Sequence, residues 1–122
     1  MSENWVDRAT DVLDRWEGTD PPPKDEQRAV VKESLAVLVE RAPGRSVEVR
    51  VPPFAAVQVI EGTTHRRGTP PAVVEMDAVT WLALALGRLD WAAAVSTGRV
   101  RASGARSDLS ELLPIVPRPD LT

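Results

Sequence analysis

Between Asn4 and Trp16 the apolar residues Trp5, Ala9, Val12, Leu13 and Trp16 recur at helical spacing, and Asp7, Arg8, Asp11, Asp14 and Arg15 fill the remaining arc. This pattern predicts an amphipathic helix. Gly18 and Pro21-Pro22-Pro23 stop it, because proline has no N–H to donate and restrains the residue before it away from helical geometry. Residues 1–20 thus read as a helix with a proline-rich hinge. The helix is expected to lie as a flap over the main body, and the hinge also permits its exchange with a second copy in a homodimer.

A second helix is expected from about Lys24 to Arg41, opened by Asp25 and Glu26, which complement the positive end of the helix dipole, and closed by Pro43-Gly44. Val31, Leu35 and Leu38 form its stripe. Val30, Val37 and Val39 widen that stripe beyond what a surface helix needs, so the helix should be well buried. Val47, Val49 and Val51 alternate with Glu48 and Arg50, the signature of a strand with one wet face, and Pro52-Pro53 interrupts it. Ala55 to Glu61 reads as an interior strand, with Val57 and Val59 on one face and Ala56, Gln58 and Ile60 on the other. The polar, glycine-punctuated run 62–70 then reads as a long hairpin connection to a third strand, Ala72 to Met76.

Asp77 can cap a helix over about Ala78 to Leu86, with Gly87 ending it in a left-handed conformation. Asp90 and Gly98 bracket a shorter helix, Trp91 to Thr97, in the same way. A last strand, about Arg99 to Ser103, would turn Val100 and Ala102 inward and Arg99 and Arg101 outward. A short helical turn near Asp108 to Leu113 precedes a proline-rich tail, residues 114–122, expected on the surface or frayed. The order of elements gives one layered α/β domain over residues 1–122. Its helices carry more apolar surface than a sheet needs for cover, which makes a binding cavity an expectation.

Composition narrows the function classes. The 122 residues are 43% hydrophobic, enough for a core, and contain no cysteine, which excludes disulfides, thiolate metal sites and cysteine nucleophiles. A formal charge of −3 with mixed signs gives no reason to expect nucleic acid as a partner. No window approaches the roughly 18 to 20 apolar residues of a membrane span, and Met1-Ser2-Glu3-Asn4 lacks the features of a signal peptide. A cytoplasmic protein without stable membrane insertion is expected.

Val74-Glu75-Met76-Asp77, Trp81-Leu82, Gly87-Arg88-Leu89-Asp90, Ala93-Ala94 and Gly98 to Gly104 resemble the C-terminal half of the sterol carrier protein 2 superfamily. Val51-Pro52-Pro53-Phe54-Ala55-Ala56-Val57-Gln58, with Gly62, His65 and Arg67-Gly68-Thr69-Pro70-Pro71, resembles more closely small actinobacterial proteins called bacterial orthologues of sterol carrier proteins. The pattern is also similar to the C-terminal domain of mycothiol-dependent maleylpyruvate isomerases. Together these resemblances cover about half the chain. They imply an α+β fold with about five mainly antiparallel strands, helices on one side, and an apolar tunnel between the layers that takes lipids or acyl chains. They imply no catalytic residue and no cofactor. The tryptophan-bearing first helix and the shorter strand region depart from the lipid-transfer members, and either could fill the tunnel.

The lining of such a tunnel would come from Val31, Leu35, Leu38, Val49, Val57, Val59, Met76, Trp81, Leu82 and Trp91. The same periodicities describe ordinary core residues, and packing is the simpler reading. His65, Arg66 and Arg67 could hold a carboxylate or phosphate headgroup, or stand solvated on an exposed loop, the default for such residues. One histidine cannot build a histidine-rich zinc site, and the serines lack the context of a nucleophile. The leading expectation is therefore a non-enzymatic binder of an apolar small molecule or lipid, fatty acyl or isoprenoid-like. The alternative is a dimerisation or docking module with a filled interior.

Overall fold

The computed structural model describes residues 4–18, 20–62, 72–103 and 107–115. Its elements are α1 (Asn4–Glu17), α2 (Lys24–Arg41), β1 (Val47–Val51), β2 (Ala55–Val59), β3 (Ala72–Met76), α3 (Ala78–Ala85), α4 (Trp91–Ser96) and β4 (Val100–Ser103). The strands form one mixed sheet in the order β2-β1-β3-β4, with β1 parallel to β3 and the other two pairings antiparallel.

Alternation decides which sheet face is covered. Val47, Val49, Val51, Val59, Val74, Met76 and Val100 are buried, and α2 packs over this side. The opposite face is polar. There Arg50 bonds Glu48 at 3.2 Å and Arg101 bonds Glu75, its direct cross-strand partner, at 3.0 Å. Helical cover on one side agrees with the expectation.

Three expectations about the strands need correction. The described residues contain four strands, not the five implied by the resemblance, and the sheet is mixed. Ala72–Met76 does not form a hairpin with β2: it lies on the far side of β1 and runs parallel to it. Among the described residues the strand Ala55–Val59 is accordingly an edge, not an interior strand. Ile60 had made its outer face look apolar, but Ile60 lies beyond the strand at φ 68°, where its N–H donates to the Ala42 carbonyl at 2.7 Å and its carbonyl accepts from Ser46 N–H at 3.0 Å. Ala56 and Gln58 are left in solvent, which an edge strand tolerates. At the other edge Ala102 shares the inner face with its partner Val74, as expected, yet it is exposed.

The helix caps follow from the sequence. Asp77 accepts from Thr80 N–H at 2.8 Å, Asp90 accepts from Ala93 N–H at 3.2 Å, and Gly87 and Gly98 follow their helices at φ 82° and 80°. Helix α3 is apolar around its whole circumference, and seven of its eight residues are buried. Such a helix needs cover on every side. Helix α1 supplies part of it, packing on α2 and α3 with Trp5, Ala9, Val12 and Leu13 buried. Much of the surplus apolar surface that suggests a cavity is thus covered by a helix of the same chain.

Beyond β4 the expected helical turn at Asp108 to Leu113 is only a turn, closed by Leu112 N–H donating to the Leu109 carbonyl. The start of the proline-rich tail is not surface chain. Ile115 is buried and its N–H reaches the Ala85 carbonyl at 3.0 Å, satisfying one of the acceptors left free at a helix C-terminus. No helix among the described residues is long and apolar enough to cross a membrane.

Candidate functional site

Of the ten expected lining residues, Val31, Leu35, Leu38, Val49, Val59, Met76, Trp81 and Leu82 belong to one apolar cluster and are each 0–3% exposed. A gap large enough for a water molecule would leave exposed area, and six of them, all but Leu35 and Met76, have none. The centre between sheet and helices is therefore filled by side chains at these positions. Val57 and Trp91 are only half-buried, at the β2 edge and the start of α4. His65, Arg66 and Arg67 lie outside the described residues.

A polar anchor joins α2 to α3 in the centre. Ser34, on the buried side of α2, donates its hydroxyl to the Val30 carbonyl at 2.7 Å and accepts the Trp81 indole N–H at 2.8 Å. Both side chains are inaccessible to solvent. The contact lets the largest core side chain be buried without an orphaned donor, and it removes Ser34 from consideration as a free nucleophile.

Among the described residues, open space is found at the periphery. A cleft of about 680 Å³ lies between the α3–α4 turn and residues 108–114, with Trp91 and Leu113 beside Asp90 and Asp108. Its walls mix charge and apolar groups. A second depression, about 390 Å³, lies at the end of the sheet between Glu75, Asp77, Arg99 and Arg101. A third, about 280 Å³, runs along the seam of α1 and α2 and is the most apolar of the three by its lining: Val12, Ala29 and Val30 make its floor, and Asp7, Arg8, Asp11 and Glu26 make its rim.

The seam exists because two helices on either side of the proline hinge pack side by side with their charged flanks outward. Exposed ion pairs stitch it. Arg8 bonds Glu33, and Arg15 reaches Glu26 at 2.9 Å and Asp11 at 3.4 Å. The Glu26 hydrogen bond, opposed by desolvation and helped less by Asp11, holds the Arg15 guanidinium above its ordinary pKa. Arg88 ties the far end of α1 through Asp14 at 2.6 Å and Glu17 at 3.5 Å.

The crevice is not among the sites expected from the sequence. Its one sequence signal is weak: Asp7 and Asp11 stand one turn apart beside Val12, at the border of the apolar stripe. The arrangement can hold a small apolar body against Val12, Ala29 and Val30. Among the described residues no group of three or more histidine, cysteine or carboxylate side chains could hold a metal ion.

No curated protein matches this chain. Residues 23–115, from the proline before α2 to Ile115 and thus without α1, match the family model described as bacterial SCP ortholog, and the chain belongs to that family.

Proposed function

We propose that this protein is a non-catalytic binder of an apolar, lipid-type small molecule, with the guest seated at the seam of α1 and α2. Membership of the bacterial SCP ortholog family supports a lipid-like ligand. The observation that carries the location is the crevice itself: Val12 and Val30 are core residues, each at most 3% exposed, yet they form the floor of a space open to solvent. The sheet–helix centre, by contrast, would have to part before it could receive anything.

The volume of about 280 Å³ sits at the lower end of ligand-pocket sizes and suits a single short acyl or isoprenoid-like chain. A guest burying about 200 Å² of apolar surface gains about 5 kcal/mol at 25 cal/mol per Å², a dissociation constant of about 0.2 mM before other costs. Mass spectrometry of the protein isolated under native conditions should find a co-purifying apolar molecule. A ligand at ten times its dissociation constant should stabilise the fold by about 1.4 kcal/mol. Ala29→Trp, a change at an exposed helical position, should fill the crevice and remove that stabilisation. No bound molecule, and no stabilisation by any of a broad panel of lipids, would end this reading.

One observation favours a second reading. The filled centre, with Trp81 locked to Ser34, is what a docking or dimerisation module needs. Exchange of α1 between two copies across the hinge would give such a dimer. Sedimentation showing a stable dimer, together with no ligand response, would select it.

A further inference from the structure

We infer that the guest of the α1–α2 crevice carries a positive charge: an aliphatic amine, its chain on Val12, Ala29 and Val30 and its ammonium at the Asp7–Asp11 rim. The inference rests on the apolar-ligand reading and adds the headgroup. Three carboxylates line the crevice against one guanidinium, and that guanidinium, Arg8, is already bonded to Glu33. Arg15 is committed mainly to Glu26 at 2.9 Å, and its 3.4 Å approach to Asp11 is too long for a strong hydrogen bond. Asp7 makes no ion pair among the described residues.

Asp7 and Asp11 are one helical turn apart, with Cβ atoms about 5–6 Å from each other, so one ammonium can approach both. Its three N–H donors match carboxylates that have acceptor capacity to spare. The apolar floor sets the chain, and the excess negative charge of the rim selects the head. A fatty carboxylate in the same place would meet like charge. Because the rim is exposed, the selection is modest: about fivefold at most from each carboxylate, and weakened by salt.

Octylamine, octanol and octanoate share a chain length and differ in head, and an aliphatic amine is protonated at neutral pH. Calorimetric titration of the full chain at low salt should rank octylamine about tenfold tighter than octanol, with octanoate weakest. In 1 M NaCl the amine should lose most of this advantage. Asp7→Asn with Asp11→Asn should bring octylamine to the affinity of octanol and leave octanol unchanged, whereas Ala29→Trp should weaken all three. If octanol binds and octylamine shows no preference, or octanoate binds best, the cationic head is overturned and the apolar site stands. If none of the three binds, both fall. The ranking in the unsubstituted protein decides the matter even should the double variant fold poorly.

Discussion

Ser34→Ala tests whether the centre of the molecule is as closed as its packing indicates. The substitution removes the acceptor 2.8 Å from the Trp81 indole N–H, at a site where neither side chain meets solvent. An orphaned buried donor costs about 1–3 kcal/mol, and alanine's better helix propensity returns at most about 0.5 kcal/mol. The hydroxyl's own bond to the Val30 carbonyl contributes little, since helical carbonyls are already engaged. A net loss of about 1–2 kcal/mol is expected in urea unfolding followed by far-ultraviolet circular dichroism. With Trp81→Phe in the background there is no indole N–H to orphan, so Ser34→Ala should then cost less than about 0.5 kcal/mol. A double-mutant cycle therefore expects a coupling of about 1–2 kcal/mol. Equal costs in the two backgrounds would show that water or another group reaches the indole, and that the centre is not closed.

Leu13→Ala, at a fully buried position of α1, should destabilise by about 2–5 kcal/mol, whereas Arg88→Ala, which removes the exposed pairs to Asp14 and Glu17, should cost less than about 1 kcal/mol; a small Leu13 effect in denaturant melts would mean that α1 is not docked. A Cβ at Gly44, where φ is +151°, would stand 2.1 Å from the Ile60 carbonyl carbon, so Gly44→Ala should cost at least about 2 kcal/mol. Gly98→Ala, at φ +80° with nothing within 4 Å, should cost only the left-handed backbone penalty of about 1–2 kcal/mol, and thermal unfolding of the two variants should reproduce that order. Asp77→Ala removes the cap on Thr80 N–H and should cost about 0.5–2 kcal/mol in chemical denaturation, while Asp77→Asn should largely retain the stability.

Local chemistry made much of the fold legible. Helix α2 runs from Lys24 to Arg41 as its pattern predicts, and Asp77, Gly87, Asp90 and Gly98 stand where caps and breakers should. The alternation of Val47, Val49 and Val51 also held, because a strand with one wet face repeats every two residues. Pairing was not legible in the same way. Ala72–Met76 has the same alternation whether it pairs with β2 or crosses over to β1, and the long connection 60–71 allows either. Ile60 misled because side-chain type does not reveal that the backbone there turns to positive φ.

The site was less legible than the fold, for a related reason. A cavity was expected because the faces of α2 and α3 are apolar beyond the needs of the sheet, but periodicity does not say what covers a face. Trp5, Ala9, Val12 and Leu13 cover much of it. The crevice depends on how α1 lies along α2. Val12 and Ala29 come together across a hinge that leaves no periodic trace. The tail differs for a similar reason: Ile115 follows a proline and resembles loose chain, yet its N–H bonds the Ala85 carbonyl and its side chain is buried in the apolar cluster.

Backbone amide shifts during titration with octanol would locate the guest directly. Binding at the helix seam should move the amides of Asp11, Val12, Ala29 and Val30 and leave those of Val49, Val59 and Met76 in place. Shifts centred on the three strand residues would mean that the guest parts the sheet from the helices, and a spectrum unchanged throughout would remove the ligand site from α1 and α2.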